Sequence, residues 1–184
     1  FIIGAGYAGA MAARCLTNHG IEVVVIDKGS KVGGRASARS LDKEYLTHGT
    51  VMADAVPAWL NCTLESIFSK EKIKRSGDQL MIDRGPVIIE HLLRDIQVYC
   101  ETKIVSVEPS NSEIVLQSDK GKRWSASGVI LTTPLPQSAD ILGQMAPEDW
   151  KDGNYESIWS VLFSNDSVIP RSVIKAAQNA GLIV

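Results

Sequence analysis

No H-E-x-x-H, G-x-S-x-G or G-x-x-x-x-G-K-[ST] occurs in the chain, so zinc hydrolysis, serine hydrolysis and P-loop phosphate chemistry have no footing. Cysteine is scarce: Cys15, Cys62 and Cys100 are odd in number and form no C-x-x-C pair. Free thiols in a reducing compartment, and hence a cytoplasmic protein, are the expectation. No apolar run approaches the ~20 residues that a membrane span requires. A net charge of -2 leaves no basic footprint for nucleic acid. Repeats and low-complexity stretches are missing as well. What remains is an ordinary globular composition, 45% hydrophobic and 22% charged over 184 residues. That is length for one or two domains with a real core, burying roughly 70% of the unfolded chain's surface.

The most informative stretch is the first, Phe1 to Asp27. Phe1, Ile2 and Ile3 read as the end of a buried strand, and Gly4-Ala5-Gly6-Tyr7-Ala8-Gly9 fits G-x-G-x-x-G where that strand turns into a helix. In such a turn Gly4 permits the tight bend, Gly6 lets backbone approach a pyrophosphate, and Gly9 lets the helix lie against the strand. The helix is expected to run to about His19 on Ala10, Met11, Ala12, Ala13, Cys15 and Leu16, with Gly20 ending it. Its N-terminus favours anions, because free N–H groups and the helix dipole both point there. Glu22 to Ile26 is nearly continuous in apolar character, as a parallel strand covered on both faces should be. It stops at Asp27, placed where an acid holds a ribose hydroxyl. Glycine clusters also make ordinary turns, so it is the strand, helix and acid together that argue for a dinucleotide. The strand is expected to begin before Phe1, since only three residues precede Gly4, and any targeting signal would lie upstream.

Just past the acid comes Lys28-Gly29-Ser30-Lys31-Val32-Gly33-Gly34-Arg35. A site for nicotinamide alone has no need of this glycine pair and arginine. With them the chain resembles the flavin amine oxidase superfamily of two-dinucleotide-binding-domain flavoproteins, in which an acid followed by x-x-G-G-R marks FAD. It is most similar to renalase-like oxidoreductases in Ile26-Asp27-Lys28, Gly33-Gly34-Arg35 and Leu131-Thr132-Thr133-Pro134-Leu135-Pro136. Gly33 and Gly34 allow a second close backbone approach, and Arg35 offers planar, permanently charged donors to phosphate. A surface ion pair is the plainer reading of Arg35. The resemblance implies FAD as cofactor, with Gly4, Gly6, Tyr7, Ala8, Gly9, Asp27, Lys28, Gly33, Gly34, Arg35, Gly49, Ile104, Thr132 and Thr133 in its site.

Further along, Ala36 to Ser40 and Tyr45 to Thr50 read as two short strands. In the family they lead to a D-x-G-A-like segment beside the flavin; Thr47-His48-Gly49-Thr50 stands there, with Gly49 matching and Thr47 in place of the acid. His48 is the one candidate for catalysis, against the usual reading of a packed histidine. Leu60, Leu64, Ile67 and Phe68 form one face of an expected helix. The basic run Lys70 to Arg75 reads as a solvated face, and Leu80 to Ile82 as a strand. Gly85-Pro86 opens a helix, and residues 102–127 read as a three-stranded antiparallel meander with turns at Ser110-Asn111 and Lys120-Gly121. The family supplies an aliphatic contact to adenine from its first strand, here Ile104, although an aliphatic residue in a strand is core by default. Gly128 to Pro134 reads as a central strand stopped by Pro134 and Pro136, followed by a helix from Gln137 to Met145. Tyr155 to Phe163 reads as a strand on which Tyr155 and Trp159 either meet a flat substrate or pack.

The expected fold is α/β. A Rossmann-like FAD-binding domain with its meander occupies residues 1–50 and 84–146, and a smaller α+β substrate domain occupies 51–83 and 147–184. Flavoproteins of this kind close the cofactor site with a late G-D segment; no match follows Val129, so the chain is expected to cover about the first two thirds of such a protein. The resemblance implies an FAD-dependent oxidoreductase that takes hydride from a reduced nicotinamide-type compound or an amine, with oxygen as acceptor. A small molecule is the only partner expected, with no metal, nucleic acid or membrane. An NAD(P)-linked dehydrogenase and a non-catalytic dinucleotide-binding module are the alternatives.

Overall fold

A computed structural model describes residues 1–36, 38–41, 44–47, 52–54, 73–76, 79–82, 85–150, 155 and 172. Its centre is a parallel sheet of β1 (Ile2–Ile3), β2 (Val24–Ile26), β8 (Gln97–Tyr99) and β12 (Ile130–Leu131), in the order β12-β1-β2-β8. Register pairs Ile2 with Val25 and with Ile130, and Val25 with Val98.

Because side chains alternate along a strand, each β-strand feeds two cores. Ile2 and Val25 look to one face, where they meet Ala10 and Ala13 of helix α1 (Tyr7–Asn18) and Ile88, Ile89 and Leu92 of helix α2 (Gly85–Leu92). Small residues on α1 let it lie close to the strands. Ile3 and Ile26 look to the other face and join Ile104, Val107, Leu116 and Ile141. That second layer is the antiparallel meander β9 (Ile104–Ser110), β10 (Glu113–Ser118) and β11 (Arg123–Ala126), with helix α3 (Leu135–Leu142). Ile2, Ile26, Ile89 and Leu116 are almost wholly buried, each worth about 1.5–3 kcal/mol of apolar burial. Elsewhere β3 (Ala38–Leu41) pairs with β4 (Glu44–Thr47), and β5 (Met52–Asp54), β6 (Ile73–Ser76) and β7 (Gln79–Ile82) form an antiparallel sheet in the order β5-β7-β6.

The expected α/β architecture, with a parallel Rossmann-like sheet and a meander, is thus the observed one. Several expectations need correction. The second strand is shorter, Val24–Ile26, since Glu22 is exposed and lies before the ladder begins. Within Gly128 to Pro134 only Ile130–Leu131 form a strand; among the described residues β12 lies at the edge of the sheet, pairing only with β1, and Ile130 is 38% exposed. Pro136 does not act as a stop. It sits in the first turn of α3, which begins at Leu135 behind Pro134, where a missing N–H costs nothing. Cys15 is exposed rather than on the apolar face, because Gly9, Ala10 and Ala13 set the buried arc of α1 and Cys15 falls outside it. Part of the basic run forms β6, and its Lys70 to Lys72 start lies outside the described residues. So do the expected helix carrying Leu60 to Phe68, His48, Gly49, Cys62 and Trp159.

Strands β5, β6 and β8 are not expected from the sequence. Residues 97–99 form β8, the neighbour of β2. Only three residues long, it is announced by nothing but the alternation of Ile96 and Val98 with polar Gln97 on the heels of a helix.

Candidate functional site

The glycine turn lies between β1 and α1, and each glycine is there for a different reason. A Cβ on Gly9 would lie 1.9 Å from the Gly4 carbonyl oxygen, and one on Gly4 would lie 2.6 Å from the Thr132 hydroxyl. Gly4 also has φ +111, a conformation that L side chains rarely adopt. Around Gly6 the space is open: nothing stands within 4 Å of the position a Cβ would take. The first two positions serve the fold, and the third leaves bare backbone facing outward.

Gly6 is the N-cap of α1, and the helical ladder starts with Ala10 N–H donating to the Gly6 carbonyl at 2.9 Å. The N–H groups of Tyr7, Ala8 and Gly9 precede that first bond, so the helix offers them to an anion. Neither a side-chain cap nor an acidic residue occupies the first turn.

Asp27 stands at the end of β2, beside this turn. One carboxylate oxygen accepts the Ala5 N–H at 2.6 Å and the other accepts the Gly29 N–H at 2.7 Å. Its backbone is fixed as well, with Asp27 N–H donating to the Tyr99 carbonyl at 2.8 Å and Thr102 N–H donating to the Asp27 carbonyl at 3.0 Å. An ionised carboxylate has about four lone-pair positions, so two remain for ligand hydroxyls. Next to it, burial and the carboxylates of Asp27 and Glu101 push the Cys100 thiol up.

The second glycine pair packs on the first turn. Gly33 N–H donates to the Ala5 carbonyl at 2.9 Å, and a Cβ on Gly34 would come within 3.3 Å of the Gly6 Cα. With φ of 139 and 54, both residues hold conformations suited to glycine. Arg35 follows on a short 3₁₀ turn, Gly34–Ala36, with its side chain exposed. The sequence thus brings the G-x-G-x-x-G turn, the acid and the G-G-R segment into one constellation, joined through Ala5.

Side chains at the other expected ligand positions make the following contacts within the protein. The Tyr7 side chain leaves the site and packs into the α1–α2 core, where Gly85 makes room for it: a Cβ there would lie 2.8 Å from the Tyr7 oxygen. Among the described residues its buried hydroxyl has no hydrogen-bond partner, and burial pushes its pKa up to about 12. Ile104 is 4% exposed and packs among Ile3, Ile26 and Leu116, so its side chain belongs to the core. Thr132 donates from its hydroxyl to the Ile3 and Gly4 carbonyls at 3.0 and 3.1 Å. Thr133 serves α3, its hydroxyl 2.7 Å from that of Ser138 and its carbonyl accepting from Ser138 at 3.0 Å. Lys28 reaches Gln137 across 3.5 Å from an exposed position. Tyr155 is 52% exposed and its oxygen accepts the Leu135 N–H at 3.2 Å, a helix-terminal contact. Sequence reasoning missed the Tyr99 to Thr102 strand end that cradles Asp27, for want of any sign of β8.

This geometry is that of a Rossmann-like fold. Residues 2–66 match the family described as NAD(P)-binding Rossmann-like domain. No curated protein matches the chain in sequence. Among solved structures it is similar to a putative protoporphyrinogen oxidase from Exiguobacterium sp. 255-15, at 13% identity and TM-score 0.65, over 78% of this chain and 61% of that one. It is similar to a CLA-producing fatty acid isomerase from P. acnes at 12% identity and TM-score 0.62, covering 82% and 62% of the two chains. The tetracycline destructase Tet(55) is a third, at 17% identity and TM-score 0.54, over 73% of this chain and 37% of its own. At such identities the likeness is one of fold. The chain spans less than two thirds of each of these structures. Among the described residues no helix is long and apolar enough to cross a membrane.

Proposed function

We propose that the chain is the dinucleotide-binding part of an FAD-dependent oxidoreductase of renalase-like type. One observation carries this reading. Gly33 and Gly34 continue the glycine turn by direct backbone contact with Ala5 and Gly6, and Arg35 stands next in the chain. The pyrophosphate would lie on the N–H groups at the start of α1, the ribose hydroxyls on the free lone pairs of Asp27, and Arg35 would face a phosphate oxygen. The open space at Gly6 fits such an approach. A bound flavin supplies hydride acceptance from a reduced nicotinamide-type compound or an amine, and passes the electrons to oxygen. The protein's own contribution is binding and orientation. In this reading residues 1–50 and 84–146 hold the cofactor, residues 51–83 and 147–184 contribute to a substrate domain, and the protein works in the cytoplasm. His48 remains the catalytic candidate on sequence grounds alone.

A second reading has support of its own: the family matched over residues 2–66 is described as NAD(P)-binding. A nicotinamide dehydrogenase would use the same turn and acid. The visible absorption spectrum of the purified protein tests the choice. Flavin bands that stay with the protein through gel filtration are the expected result; a colourless protein that binds NAD would favour the dehydrogenase.

A further inference from the structure

We propose that Thr132 is a positioning residue of the cofactor turn, acting through one peptide plane and not by touching a ligand. The Gly4–Ala5 peptide is gripped at both ends by side chains from distant parts of the chain. Its carbonyl oxygen accepts from the Thr132 hydroxyl at 3.1 Å, and its N–H donates to Asp27 at 2.6 Å. The same hydroxyl lies 3.0 Å from the Ile3 carbonyl, so one proton is shared between two successive carbonyls of the turn. Thr132 reaches this place because its own N–H donates to Ile3 as β12 leaves its register with β1.

The orientation of that peptide decides what the turn presents. Gly4 at φ +111 is free to rotate where other residues are not. If the peptide turned over, Asp27 would lose the N–H it holds and would face the Gly4 carbonyl oxygen instead. Thr132 and Asp27 oppose that rotation from opposite sides. The Thr132 hydroxyl also lies against Gly4 and Gly9, where a Cβ on either glycine would come to 2.6 and 3.0 Å of its oxygen. A side chain so placed works by holding backbone.

This inference rests on the dinucleotide reading of the turn, and its test separates the two. Thr132→Val keeps the shape and removes the hydroxyl; Thr132→Ser keeps the hydroxyl. Binding of FAD and of ADP-ribose is measured by titration, and exchange of the Ala5 amide by NMR. Thr132→Val should weaken binding by roughly three- to tenfold, the loss of one ordinary hydrogen bond, and speed Ala5 exchange, while Thr132→Ser matches the parent in both. Equal behaviour of all three proteins, or a serine variant as impaired as the valine one, overturns the proposal. Should the valine variant not fold, Thr132→Ser and Thr132→Ala differ by the hydroxyl alone, and the same comparison decides. If the parent binds neither FAD nor ADP-ribose, the dinucleotide reading fails, and Ala5 exchange still decides whether Thr132 holds the peptide.

Discussion

The carboxylate of Asp27 accepts the N–H of Ala5 at 2.6 Å, across the mouth of the glycine turn. An acid placed to meet a ribose is therefore also a clamp on the turn that meets the pyrophosphate. Its other oxygen holds Gly29, at the start of the loop that carries Gly33 and Gly34 back to Ala5. The glycine turn and the loop that follows β2 are tied together through one side chain.

Asp27→Ala should destabilise the ligand-free protein by about 1.5–3 kcal/mol, the range for hydrogen bonds to a charged group. Asp27→Asn should fall between the two, since an amide has a single acceptor atom and can serve only one of the two N–H groups. Urea unfolding without added nucleotide measures this. An acid that served only a ligand would leave the ligand-free stability unchanged.

Gly6→Ala and Gly9→Ala should separate binding from folding. At Gly9 the added Cβ would meet the Gly4 carbonyl oxygen at 1.9 Å, and backbone cannot step aside. Overpacking of this kind costs about 1–3 kcal/mol or more, and the thermal midpoint should fall accordingly. At Gly6 the Cβ enters open space from an allowed backbone, φ -87. That variant should melt like the parent yet lose about tenfold or more in dinucleotide affinity, about 1.4 kcal/mol, because the methyl occupies the path of the ligand.

Tyr7→Phe should not destabilise the protein, unlike most losses of a buried polar group. Its hydroxyl is buried with no partner among the described residues, so removing it leaves no orphan behind there. Burial raises the Tyr7 pKa from 10.0 to about 12, which favours the neutral form in the folded state. Its contribution is fully present below pH 10 and is lost as pH rises through about 12, since the unfolded chain ionises first. Equilibrium unfolding between pH 9 and roughly 12 should show a falling stability whose slope is reduced in the phenylalanine variant.

Much of this site was legible because it depends on local chemistry. A strand, three spaced glycines, a helix and an acid fall within 27 residues, and their mutual geometry follows from chain connectivity. The meander was equally readable, its turns falling at Asn111 and Gly121 where φ is positive. Contacts between distant segments were not legible. That Gly33 would bond Ala5, that Thr132 would support Gly4, and that Tyr7 would turn inward toward Gly85 depend on how the layers stack, which side-chain pattern does not encode. Two prolines were read as strand stops, yet Pro136 fits a first helical turn equally well. A three-residue strand such as β8 carries too little pattern to stand out from the helix end before it.

The most direct test of the central claim is an equilibrium titration of the protein with FAD, followed by quenching of flavin fluorescence, with NAD as competitor. The account predicts saturable binding of one FAD per chain, displaced by NAD only at higher concentration and weakened by Gly6→Ala. Tighter binding of NAD than of FAD, or flavin quenching that Gly6→Ala leaves untouched, would contradict it.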